Sequence, residues 1–262
     1  MIEPVTSVDF QPHPIQTRES RSGAPSKKSM TEETLPFTVR LVRNEDDLNK
    51  AVYIRHSAYA RHMPTVAETL KSPEKADVEN GVVVLLAESK LDGSPLGTAR
   101  IQTNQFRPLG LEQSVEFPDW LKGQSLAHVS RLGIVQGSGG RLVKLMLFKG
   151  LFKYWELNGI DWAVVAARPP LDRMYLQLLF GDVFPGQGYT PLAHMNDVPH
   201  RVMAFEVGTA LERWKKANHP LTNFIFYTDH PDLDVSNMEC DAYSPMYAKN
   251  GRAASRITSN KE

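Results

Sequence analysis

The chain's clearest chemical feature joins a strand, a glycine-rich turn and a helix. An apolar run from Leu126 to Ile134 carries His128, Ser130 and Arg131, and leads into Gln136-Gly137-Ser138-Gly139-Gly140-Arg141. Small residues at such a junction let backbone amides approach an anion, and the helix N-terminus adds its dipole. On the glycines alone, a plain structural turn is the alternative. The turn has neither the GK[ST] ending of a P-loop nor the GxGxxG spacing of a dinucleotide fold. Arg100 and Arg131 come from strands otherwise rich in apolar residues, where an unpaired charge is costly, so each calls for a carboxylate or phosphate partner. Asp77 or Glu79 could be that partner within the fold, or a substrate could. Arg55 and Tyr59 share a helical face by their i, i+4 spacing; they line a cleft or simply anchor the helix.

Other chemistries are disfavoured. No HExxH occurs, and His56 and His62 lack the spacing that puts two ligands on one helical face, so no metal site is expected. The single cysteine, Cys240, excludes an intramolecular disulfide and lies near the C-terminus rather than beside a base, which argues against a thiol nucleophile. The 30 basic and 30 acidic residues cancel, so no global field favours nucleic acid or an anionic membrane. Met1 to Gln16 holds no apolar run, so neither a secretory signal nor a transmembrane start is expected, and a cytoplasmic location follows by default.

The elements that must position these residues are read from periodicity. Residues 1–36 are rich in Pro, Ser, Thr, Arg and Glu and are expected to be a disordered leader, because ordering them would bury little apolar surface. Phe37 to Val42 alternates as a strand. Asn44 then caps a helix with apolar positions Leu48, Ala51, Val52, Ala58 and Tyr59. Pro64 to Asn80 is polar and mixed. Val82 to Leu86 and Leu96 to Thr103 form a hairpin about Asp92-Gly93. After the strand Leu126 to Ile134, Leu142 to Trp155 is a largely buried helix that Gly159 stops. Ile160 to Ala166 is a strand, and Pro169-Pro170 opens a helix running to about Phe180. Further strands are expected at Arg201 to Val207 and Phe224 to Tyr227, around a helix with Leu211 and Trp214. Residues 236–262 read as a tail.

This order of elements resembles the GNAT acyltransferases over roughly Phe37 to Leu233. The resemblance implies an α/β fold, α+β layered, whose central mixed and mostly antiparallel sheet is flanked by helices across residues 37–235. In that family the turn holds the pyrophosphate or phosphopantetheine of an acyl thioester, with the pattern Q/R-x-x-G-x-G/A. Here Arg141 stands where the last small residue belongs. By the resemblance, Leu132, Ile134, Gln136, Gly137, Ser138, Gly139, Gly140 and Arg141 are expected to meet the thioester.

Several motifs resemble the branch containing N-acyl amino acid synthases and acyl-homoserine lactone synthases. They are Tyr53-Ile54-Arg55-His56-Ser57-Ala58-Tyr59, Asp77 with Glu79, Gly97-Thr98-Ala99-Arg100, and His128-Val129-Ser130-Arg131-Leu132. The resemblance implies transfer of a fatty acyl group from acyl carrier protein or coenzyme A to the amine of an amino acid or similar small molecule. No permanently bound cofactor is implied, acyl-phosphopantetheine being a co-substrate. Arg55, Tyr59, Asp77, Glu79, Arg100, Ser130 and Arg131 would then bind substrate. Two alternatives stand beside this: a lactone-forming signal synthase using S-adenosylmethionine, and a catalytically silent module that binds an acyl ligand or a protein.

His128 replaces the glutamate of the branch's E-x-S-R-[LF] motif. Its imidazole, with an ordinary pKa near 6.5, could take the proton of the attacking amine, or it is a hydrogen-bonded core residue. Tyr175 falls where many GNAT enzymes place a tyrosine near the thioester sulfur, and could protonate the thiolate or simply pack its ring. Arg141, Lys144, Lys149 and Lys153 give the buried helix a basic side on which an acidic carrier protein could dock, or which is merely solvated. Phe106, Phe117, Trp120 and Phe148 are expected to set the depth of the acyl pocket.

Overall fold

The computed structural model describes residues 30–137, 139–193 and 197–236. Ser138 and Cys240 lie outside the described residues, as does most of the expected leader and tail. In chain order the elements are β1 (Thr31–Glu32), β2 (Phe37–Leu41), α1 (Glu45–Ala60), α2 (Pro64–Glu68), β3 (Val82–Ser89), β4 (Pro95–Thr103), β5 (Leu126–Ile134), α3 (Gly140–Leu157) and β6 (Trp162–Ala167). There follow α4 (Leu171–Gln177), β7 (Gly181–Asp182), β8 (Thr190–Leu192), β9 (Val198–Glu206), α5 (Ala210–Lys216), α6 (Thr222–Phe226), β10 (Thr228–Asp229) and β11 (Leu233–Asp234).

Among the described residues, nine strands form one mixed sheet, ordered β11-β2-β3-β4-β5-β6-β9-β7, with β8 on β9. The pairs β11–β2 and β5–β6 are parallel and the others antiparallel, so the sheet is mostly antiparallel. Alternation along the strands sorts the core to two faces. Ala127, Val129, Ala163, Val165 and Ala167 pack with the apolar side of α3 and with Tyr175 of α4. Leu126, Val164, Val202 and Ala204 pack on the other face, against Leu109, Leu111, Phe117 and Leu121 of the β4–β5 connection. Asn44 caps α1 by accepting from the Asp47 amide at 2.8 Å.

Two features open the sheet at its centre. β5 and β6 pair only from Leu126↔Trp162 to Val129↔Val165, after which β5 runs on to Ile134 without β6 beside it. The strands therefore part, and the β5 edge beyond Val129 has no β6 partner. In the same stretch Arg100 pairs with Ser130 and Thr98 with Gly133, so Arg131 and Leu132 together oppose Ala99. This is a β-bulge, and Arg131 takes φ 55° to make it.

Several expectations are corrected. Phe224–Tyr227 is not a strand: Phe224 to Phe226 belong to the one-turn helix α6, which buries Ile225 and sets Phe226 edge-on to Trp214 at 5.6 Å and to Phe152 at 4.9 Å. So short an apolar run cannot be assigned by periodicity. The helix after Pro170 ends at Gln177 rather than Phe180, because Leu179 adopts φ 65°. Thr31–Glu32, inside the expected leader, pairs in parallel with Thr228–Asp229. The polar stretch Pro64 to Asn80 contains α2 and a 3-10 turn, Lys75–Val78.

Candidate active site

A cavity of about 1240 Å³ lies where β5 and β6 part. It exceeds the roughly 300–1,000 Å³ of most single-ligand pockets, so it has room for two reactants. Its wall draws on both faces of the sheet. His128 follows Leu126 in alternation and so shares the face opposite α3, while Tyr175, Met174 and Lys144 come from α4 and α3 on the other. The cavity thus passes through the sheet at the fork.

Arginines and carboxylates brace one side. Arg55, fully buried, donates to both oxygens of Asp77 at 2.8 and 2.9 Å. Arg131 donates twice to Glu74, each at 2.6 Å, and Arg100 donates to Glu74 at 3.0 Å, to Asp77 at 3.2 Å and to Ser130 Oγ at 3.3 Å. The bulge lets this happen. A regular strand would send Arg131 to the face opposite Ser130, whereas the extra residue turns it toward Glu74 beside Arg100. A non-glycine residue at such a φ costs on the order of 1–3 kcal/mol, which the paired carboxylate offsets.

Burial works to raise the pKa of Glu74 and of Asp77, but the surrounding guanidinium groups outweigh it and hold both below the ordinary carboxylate range. Arg131 is likewise opposed by burial yet driven upward by Glu74 and by the Tyr59 hydroxyl against it. For Arg100 burial wins, and its pKa is lowered.

Of the residues expected to bind substrate, Tyr59, Glu79, Arg100, Ser130 and Arg131 line the cavity. Arg55 and Asp77 stand behind the wall as its brace, both side chains fully buried. Glu79 pairs with Arg107 instead of joining the cluster. Its place is taken by Glu74, which the sequence reading passed over. The signal available was the three-residue spacing of Glu74 and Asp77, which lets Asp77 Oδ2 accept from the Glu74 amide at 2.8 Å and close the turn.

Of the thioester-facing set, Leu132 and Ile134 line the cavity. Gln136, Gly137, Gly139 and Arg141 are exposed in the turn and first turn of α3, and Gly140 is buried. A Cβ on Gly140 would stand 2.6 Å from the Val135 carbonyl oxygen, so the small residue is demanded at Gly140, one position before Arg141. α3 begins without a side-chain cap hydrogen bond, and its Gly140 amide donates to the Gly137 carbonyl at 3.2 Å; a helix N-terminus of this kind favours an anion through its dipole.

Lys149 does not join the basic side of α3. It is buried and donates to the carbonyls of Phe224 at 2.6 Å and Thr228 at 2.5 Å, and burial lowers its pKa to about 8. The four aromatics expected to set pocket depth are not in the cavity wall. Phe117 and Phe148 are buried in the core, Trp120 packs on Trp162 at 4.8 Å, and Phe106 is exposed.

Tyr175 is buried, edge-on to Phe148 with ring centroids 5.8 Å apart and tilted against Phe180 at 5.0 Å. Burial, and after it the neighbouring Tyr59, raise its pKa, so the phenol stays protonated at neutral pH. It is therefore a hydrogen-bond donor in the cavity wall. His128 is buried to 5% exposure and stands opposite Gln102 across the β4–β5 pair. The described residues hold no group of three or more metal-ligating side chains, and no described helix is long and apolar enough to cross a membrane.

No protein-family model matches the sequence, and no curated protein matches it. Solved structures do. The N-acyl amino acid synthase FeeM from uncultured soil microbes superposes with TM-score 0.51 at 15% identity, covering 72% of this chain and 96% of that one. A CoA-dependent acyl-homoserine lactone synthase, BjaI, solved with SAM and isopentyl-CoA, superposes with TM-score 0.51 at 14% identity, covering 80% of this chain and 99% of that one. The mixed sheet forked between β5 and β6, with a glycine turn leading into a buried helix, is the fold of the GNAT acyltransferases.

Proposed function

We propose that the chain is an N-acyltransferase that moves a fatty acyl group from an acyl carrier protein or coenzyme A thioester to the amine of an amino acid or similar small molecule. The observation that carries this reading is the cavity through the forked sheet, with His128 on one face and Tyr175 on the other. The donor enters on the α3 side, its phosphate against the first amides of α3 and its pantetheine arm along the open β5 edge. Leu132 and Ile134 flank that arm, and Lys144 supplies positive charge. The acceptor enters from the opposite face.

The amine nitrogen attacks the thioester carbonyl carbon, the carbon–sulfur bond breaks, and the amine's surplus proton passes to His128, directly or through water. Tyr175 donates a hydrogen bond to the departing sulfur and then its proton. Burial disfavours the free thiolate as it does the phenolate, so the transfer is not set against a solvated thiolate. The arginine–carboxylate cluster holds the bulged strand in place. Exposed Arg141, with Lys144 and Lys153, is the surface for an acidic carrier. Likeness to an N-acyl amino acid synthase and to a lactone synthase supports the class of reaction.

The test is incubation with acyl-carrier-protein and acyl-CoA thioesters and a panel of amino acids that also includes S-adenosylmethionine, followed by mass spectrometry. An acyl amide is expected. A lactone from S-adenosylmethionine would replace this reading with signal synthesis, and thiol release no faster than the blank would remove it.

A further inference from the structure

Most cations on the cavity wall already have partners. Arg100 and Arg131 hold Glu74, Arg107 holds Glu79, and Arg61 donates to the carbonyls of Ser57 at 3.0 Å and Ile134 at 2.8 Å. Lys144 stands on α3, the donor side. Arg168 is different. It lines the cavity half-buried, and among the described residues its guanidinium has no ion pair and no hydrogen bond.

Its placement is set by the strand before it. Val164 and Ala166 turn to the face opposite α3, and Arg168 continues that alternation just beyond the end of β6. It therefore stands on the open side of the fork, on the same face as His128. His200 of β9 shares that wall. The His200 ring is held by its Nδ1, 2.7 Å from the Val198 carbonyl oxygen. The geometry makes Nδ1 the protonated nitrogen and leaves Nε2 with the lone pair. Burial first, then the nearby Arg168 charge, lower the His200 pKa, outweighing the Val198 bond, so the imidazole is neutral at pH 7.

We propose that Arg168 anchors a carboxylate of the acceptor, so that this site selects amines that also carry an acid group. The proposal rests on the acylation reading above and names the acceptor's chemical class and the residue that recognises it. A half-buried guanidinium without a counter-charge pays for its desolvation only when an anion arrives, and its planar fork matches a carboxylate in two parallel hydrogen bonds. Arg100 and Arg131 are unsuited to that role because their forks are already taken up by Glu74 and Asp77.

The test compares L-amino acids with their primary amides, which keep the amine and remove the negative charge. For the wild type, KM is expected to be lower for the acid than for the amide. Arg168→Gln is expected to raise KM for the acid by about ten- to a hundredfold, in keeping with loss of a charge-assisted hydrogen-bond pair. It should leave kcat, the amide's KM and the melting temperature near their wild-type values. Equal losses for acid and amide, or no change in either, overturn the anchor.

Calorimetric binding of the same acids and amides provides an arm independent of turnover. Acid binding that depends on Arg168 without any product would sink acyl transfer and keep the anchor. Acid binding unchanged by Arg168→Gln, or no binding of any acid to the wild type, would sink the anchor whatever the turnover.

Discussion

Replacing Glu74 with alanine removes the carboxylate that holds Arg131 by two bonds and also reaches Arg100 and Arg55, at 3.3 Å for the last. Three guanidinium groups are left with Asp77 alone, and Arg131 loses the partner that offsets its left-handed backbone. Breaking a buried ion pair from one side costs about 3–5 kcal/mol. The Glu74 side chain keeps 23% exposure, so water can enter, and Asp77 retains part of the cluster. The expected loss is therefore about 2–3 kcal/mol. At about 2–4 °C per kcal/mol for a domain of this size, the melting temperature falls by roughly 5–10 °C. Urea unfolding should show a lower midpoint at an unchanged slope, since the native surface is the same. Glu74→Gln, which keeps an acceptor oxygen, should lose less. A loss under about 0.5 kcal/mol for Glu74→Ala, the level of an exposed pair, would refute the bracing role.

Acid should expose the same cluster. Glu74 and Asp77 have folded pKa values below their ordinary ones, so their stabilisation is complete above about pH 4.5 and is lost as pH falls through the lower folded values; Glu74→Gln should flatten that acid limb in pH-dependent melts. Gly140→Ala forces a Cβ to within 2.6 Å of a backbone oxygen and should cost about 1–3 kcal/mol in urea unfolding, with weaker binding of an acyl-CoA in calorimetry. Tyr175→Phe keeps the ring packing and removes only the hydroxyl; kcat should fall about a hundredfold while acyl-CoA affinity is kept.

The fold was legible where burial forces a pattern. β5 and α3 carry apolar runs whose periods leave little choice, and the observed bounds fall close to those read from the residues. Where a short run is shared between packing and chain reversal, as at Phe224 to Phe226, the pattern is too brief to separate a strand from a helical turn. The site was legible in part. Arg100 and Arg131 announce a partner by being charged within apolar strands, and of the two carboxylates read for that role Asp77 does pair with Arg100, but Glu79 does not join them; Glu74, in a polar stretch with no periodicity, holds Arg131 instead. Lys149 looked solvated because helical spacing does not reveal that β10 and α6 close over it. Arg168 and His200 lie 32 residues apart by their numbers, and only the antiparallel pairing of β6 with β9 brings them to one wall.

The most direct test of the account is a single time course that follows free thiol and acyl amide together, for the wild type, His128→Ala and Tyr175→Phe, at an acyl-thioester concentration where calorimetry shows all three saturated. Acyl transfer through the fork predicts equal thiol and amide from the wild type, and marked loss of both in the two variants despite retained donor binding. Tight thioester binding with no wild-type turnover would contradict it and mark the fork as a binding site alone.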